Sequence, residues 1–214
     1  MARFSDQQIR RYSRQILLRE VGGRGQERLQ AARPLLVCAG EVGQLTADYL
    51  WRAGVTGLTL LAATAELAAR LGEQLAAAGY PGSPACALAG APDEVQRLAQ
   101  VAPGFTLLWI HGVAGGLRTG DLVPEAAPPL WACCRGAWGV VGQGAEALPA
   151  TVRQRDRLGS VESGAGAMIV GSALALLALQ RLLGVAGAAD EGQQRQDSIW
   201  QLDLDSAAPP RWSP

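Results

Sequence analysis

Residues 36–43 read LVCAGEVG and hold the clearest chemical pattern in the chain. An apolar run that breaks into spaced glycines carries a strand into a helix around the phosphates of a nucleotide. In G-x-G-x-x-G the first glycine makes the tight turn, the second lets the backbone approach the phosphates, and the third lets the helix pack on the strand. Gly40 and Gly43 fill the last two places, and Cys38 fills the first. A left-handed turn at Cys38 costs ~1–2 kcal/mol. Glu41 adds a carboxylate beside the turn, and a unit charge ~5 Å from a phosphate is repelled by ~3 kcal/mol at an effective dielectric of 20. The pattern therefore predicts the shape of a nucleotide turn with weakened affinity for phosphate.

Other reactive side chains are sparse. The sole histidine, His111, ends the apolar run FTLLWIHG and has the chemistry of a base or metal ligand. No second histidine or carboxylate lies beside it in sequence, so it reads as a structural or capping residue. Four cysteines (Cys38, Cys86, Cys133, Cys134) form no C-x-x-C pair. Adjacent Cys133 and Cys134 point to opposite faces of a strand, which predicts packing and no zinc centre. Trp109 and Trp131 read as core filling, with the lining of a pocket or peptide groove as the alternative.

Elements that would position these residues follow from hydrophobic spacing. Residues 6–19 suit a helix capped by Ser5 or Asp6, with Ile9, Tyr12, Ile16 and Leu17 inward, and 24–32 suit a second helix. A strand in PLLVCAG leads to a helix with Val42, Leu45, Tyr49 and Leu50 on its apolar side and Gly54 at its end. A strand in GLTLLAA, a helix over 64–79 capped by Thr64, a weak strand near PACALAG, a helix over 92–101 and a strand in FTLLWIHG come next. LWACCRGAWGVVGQ predicts a hairpin, 165–184 a long apolar helix, 184–197 a loop, and SIWQLDLD a closing strand. Alternating strands and helices predict an α/β, doubly wound, mostly parallel sheet with an added antiparallel part near the C-terminus. The 214 residues are read as a single domain, with a helical arm over 1–33, a nucleotide-fold half over 34–129 and a C-terminal half over 130–214.

The formal net charge of zero offers no basic surplus for nucleic acid or an anionic membrane. The uncharged segment 163–179 is marginal in length and diluted by glycine and alanine, so it reads as a core helix and not a membrane span. The polar, basic start lacks an apolar leader, which makes a cytoplasmic location the expectation. All 19 basic residues are arginine.

The stretch RYSRQILLREVGGRGQERLQAARPLLVCAGEVGQLTADYLWRAGVTGLTLL resembles the opening of the ThiF/MoeB/HesA family, bacterial relatives of ubiquitin-activating enzymes. PPLWACCRGAWGVVGQ, GAGAMIVGSALALLALQRLLG and the tail SIWQLDLDSAAPPRW are similar to later segments of that family. The resemblance implies a Rossmann-like fold. It also implies adenylation, in which ATP and magnesium activate the C-terminal carboxylate of a ubiquitin-like sulfur carrier. Gly40 and Gly43 match the glycine loop as remnants. Ala62 and Thr64 stand where the family grips ribose with carboxylates, and the phosphate-binding lysine has no counterpart. The Asn-Leu-x-Arg-Gln motif is missing from a shortened region, where Arg70 is a weak substitute. His111 falls near the magnesium aspartate, and the crossover segment has lost its cysteine.

Arg14 matches an arginine that reaches the ATP phosphates of the partner subunit in the family's dimers. The resemblance therefore implies a pseudoenzyme with a degenerate ATP site and with no metal or cofactor of its own. It would act in a homodimer, or a heterodimer with an active ThiF/MoeB-like subunit, and with a sulfur carrier. Two other readings stay open. One is an active adenylyltransferase that uses ATP and magnesium, with Asp121 or Glu125 recruited for the metal. The other is a stand-alone scaffold or small-ligand domain.

Overall fold

The computed structural model describes residues 4–32, 34–38, 41–62, 65–77, 85–87, 105–109, 130–135, 138–143, 164–184, 199–203 and 211–213. Helix α1 spans Asp6–Ile16 and α2 spans Gly22–Ala31. Of the two candidate caps, Ser5 is the one used. The Gln8 N–H donates to Ser5 Oγ at 3.2 Å, and the Ser5 N–H donates to Gln8 Oε1 at 2.8 Å. This reciprocal box satisfies two donors that the first turn leaves open. Tyr12 is buried as expected, but Ile9 is 48% and Leu17 85% exposed, so the inward face of α1 is narrower than its spacing predicts.

Strand β1 (Leu35–Cys38) leads to α3 (Glu41–Ala53), β2 (Thr59–Ala62), α4 (Ala65–Ala77) and β3 (Ala85–Ala87). Then come β4 (Phe105–Trp109), β5 (Leu130–Arg135), β6 (Trp138–Gln143), the long helix α5 (Gly164–Leu183), β7 (Ile199–Asp203) and β8 (Arg211–Ser213). The sheet runs β3-β2-β1-β4-β5-β6-β7-β8. The helix expected over 92–101 and, beyond Gly184, the loop expected over 184–197 lie outside the described residues.

An α/β arrangement stands, while the mostly parallel sheet needs correction. Only β1–β2 and β2–β3 pair in parallel among the described residues, and every pairing from β1–β4 to β7–β8 is antiparallel. Two residues join β5 to β6, a connection that permits only an antiparallel pair. For β4 the cause is different. It places Leu108 opposite Leu36 and runs against β1, and an uninterrupted apolar run reads the same in either direction.

One core joins the parts. Leu36, Val42, Leu50, Leu58, Leu60, Leu130, Cys134, Val141, Val170 and Leu174 form a single buried cluster, each large side chain stabilising by roughly 1.5–3 kcal/mol relative to exposure. Helix α5 supplies Ala167, Val170, Leu174, Ala175 and Ala178 to this core. It is also long and apolar enough to cross a membrane, by length and composition alone, and it turns Met168, Ile169 and Leu176 outward. The helices α3 and α5 approach closely at Gly171, where an added Cβ would lie 3.0 Å from Leu45 Cβ and from the Val42 carbonyl oxygen. Thr46 Oγ1 donates to Val42 O at 2.8 Å and lies 3.2 Å from Gly171 O, stitching the crossing. On the opposite sheet face Trp131, Cys133, Trp138 and Val140 are buried too. Cys133 and Cys134 therefore occupy opposite faces, both inaccessible, and Trp131 fills core.

Candidate functional site

Helix α3 organises the site because its first turn follows the glycine turn and its last turn meets the arm. Gly43 is buried in that first turn. Gly40, Thr64, His111, Asp121 and Glu125 lie outside the described residues. Glu41 is the first residue of α3 and is exposed. A carboxylate there is favourable for the helix, since unpaired N–H groups make that end partly positive. A helix end of this kind is also where phosphates bind in nucleotide turns, and Glu41 adds a negative charge to this first turn. Strand β2 closes on Ala62. Arg70 is exposed on α4. No group of histidine, cysteine, aspartate or glutamate among the described residues is arranged to hold a metal ion.

A groove of about 540 Å³ runs along the outer side of α3, against α4 and the start of α5. Leu45, Trp51, Leu71 and Met168 give it apolar walls, and Glu41, Gln44 and Asp48 give it polar ones. Gln44 Nε2 is buried without a hydrogen-bond partner. Asp48 Oδ2 accepts from Arg52 Nε at 2.7 Å, one helical turn away. The pair is largely exposed and contributes little to stability.

At the other end of α3 the arm is fastened by side-chain amides. Gln26 of α2 is fully buried and donates from Nε2 to Ala53 O at 2.9 Å. Gln15 of α1 donates from Nε2 to Arg52 O at 3.3 Å. These are carbonyls that the last turn of a helix leaves without intrahelical donors. Gly54 follows at φ 101°, and a Cβ there would overlap Gln26 Nε2 and crowd the Tyr12 ring at 3.1 Å. Arg14 sits in the last turn of α1 and is exposed. The structure therefore brings Glu41 and Gly43 together at one end of α3 and, through Tyr12 and Gln15, holds α1 beside the other. Sequence reasoning passed over Gln26 and Gln44, whose signal is faint: a glutamine within a helix is ordinary unless its burial is known.

Comparison with known proteins adds a bounded likeness. Residues 12–61 match the model of the ThiF family. Molybdopterin-synthase adenylyltransferase of Escherichia coli (strain K12) is 49% identical over 61 residues, covering 28% of this chain and 24% of that protein. Its counterpart in Haemophilus influenzae is 44% identical over 61 residues and 25% of its length. Adenylyltransferase and sulfurtransferase MOCS3 of Bos taurus is 50% identical over 60 residues, or 28% of this chain and 13% of that protein. The alignments thus span about a quarter or less of these relatives. The matched interval runs from Tyr12 in α1 through the glycine turn and α3 into β2, and it includes Arg14, Glu41 and Gly43. Over that N-terminal segment, the chain carries a ThiF-family match and is homologous to the molybdopterin-synthase adenylyltransferases.

Proposed function

We propose that this chain is a ThiF-type subunit whose own nucleotide site is weakened and which supports an active ThiF/MoeB-like partner, in the cytoplasm, in the activation of a ubiquitin-like sulfur carrier. The observation that carries the proposal is Glu41 at the first position of α3, a carboxylate at the mouth of the phosphate-binding end. Ala62 at the end of β2 and the lysine-free sequence point the same way. Pairing is supported by the outer side of the arm. Ile9 and Leu17 stand exposed beside Arg10 and Arg14, a mixture of aliphatic and cationic groups suited to a protein surface. Arg14 is anchored near the end of α3 farthest from its own glycine turn, with ~18 Å of helix between them. That distance favours a role for Arg14 toward the phosphates of a second chain, for which an arginine has the planar fork and permanent charge. The test is titration of the chain with magnesium-ATP, together with pyrophosphate exchange. The chain alone should give neither millimolar binding heat nor exchange.

A second reading, an active adenylyltransferase, is favoured by one specific observation: the ThiF-family match over residues 12–61 runs through the glycine turn itself. Binding heat with exchange by the isolated chain would establish this reading and overturn the first. Binding of neither nucleotide nor partner would leave the scaffold reading.

A further inference from the structure

We infer that Gln26 is a positioning residue for the arm, locking α1 onto the end of α3 so that Arg10 and Arg14 face a second chain. The functional half of this inference rests on the pairing proposed above. The geometry stands by itself. Gln26 is 0% exposed, its Nε2 is bonded to Ala53 O at 2.9 Å, and its Oε1 is buried with no partner. Water at an open helix end would cap Ala53 without stranding a buried acceptor. A cap alone therefore does not account for a buried glutamine here, whereas fastening does.

Three elements meet at its amide. Tyr12 of α1 is buried, and its ring and the Gln26 amide both border Gly54, where neither leaves room for a side chain. Gln15, one turn along α1, adds the outer bond to Arg52 O. At about 100° per residue, Tyr12 lies about 200° around the helix from both Arg10 and Arg14. Fixing Tyr12 inward therefore fixes both arginines outward. Because α3 is one rigid element, the lock also sets the arm's place relative to the glycine turn at the far end.

Limited trypsin digestion of the full chain tests this, since Arg10, Arg11, Arg14 and Arg19 provide cleavage sites within the arm or at its end. The variants are Gln26→Met, which keeps length and loses the donor, and Thr46→Val, which removes a buried hydroxyl at the α3–α5 crossing. Gln26→Met should speed cleavage at these arginines about tenfold while the rest of the chain stays intact, and Thr46→Val should leave arm cleavage within about twofold of wild type. Should Gln26→Met fail to fold, Gln15→Ala replaces it, with a threefold expected rise. Unchanged arm cleavage in the glutamine variant, or an equal rise in Thr46→Val, overturns the inference. Sedimentation of the same proteins reads the functional half, where the glutamine variant should lose pairing at concentrations that keep wild type paired. A wild-type chain that pairs neither with itself nor with a ThiF-like partner defeats the proposed function and leaves the lock to be judged by digestion.

Discussion

The segment from Tyr12 to Leu61 and the strands from β4 onward share one sheet but hold together by different means. The first is a frame in which a helix passes between two parallel strands and its last turn is held by Gln15 and Gln26. The second is a succession of antiparallel neighbours, with β5 and β6 buried on both faces and covered on one by α5. The likeness to adenylyltransferases falls on the frame. A frame ties distant groups to fixed places, whereas a run of adjacent strands mainly supplies burial, and a nucleotide turn needs the first kind of support.

The contrast is most exposed at Gly54. A valine there meets an unfavourable positive φ and the Gln26–Tyr12 contact at once, so Gly54→Val should destabilise by about 4 kcal/mol, read as a lower urea midpoint. A loss below about 1 kcal/mol would mean that the arm and the end of α3 are not tightly joined, and the frame would lose one of its ends. Leu174→Ala, in the part of α5 that covers the sheet, should cost about 3 kcal/mol by leaving a cavity. It should do so without faster digestion of the arm. A coupled release of α1 would show that the two regions behave as one. Ser5→Ala removes the α1 cap and should cost about 1 kcal/mol or less, visible as faster amide exchange in residues 6–10 and nowhere in α5. Asp48→Ala is the smallest. Its exposed pair with Arg52 predicts a change within about 0.5 kcal/mol, and a larger loss measured by thermal melting would give the groove beside α3 a structural weight that its exposure denies.

Much of the frame was legible in the sequence because its signals are local. The apolar strands and the glycine closing α3 are each set by neighbours within a few residues. The direction of β4 was not legible, since Phe105–Trp109 carries no alternation or turn to orient it. Ile9, Leu17 and Tyr49 have inward spacing, yet the structure leaves them exposed. Helical periodicity tells which residues share a side and is silent on how much of that side another element covers. Gln26 failed in the opposite sense. Its polarity suggests solvent, and only the meeting of α2 with the end of α3 makes its burial sensible. Glu41 was legible in type and position, and the structure adds that it lines the groove beside Gln44 and Asp48.

Arg28 Nη1 donates to Leu183 O at 2.7 Å, joining α2 to the end of α5 across 155 positions of sequence. Closing so long a loop costs chain entropy before the bond returns anything, whereas the β5–β6 hairpin needs only its two-residue turn. The order of folding should follow, with the hairpin early and the Arg28 contact among the last to form. Arg28→Ala would then speed unfolding and leave the folding rate nearly unchanged. The junction between the arm and the long helix would thus act as a late clasp, setting how long the folded chain lasts more than how fast it arrives.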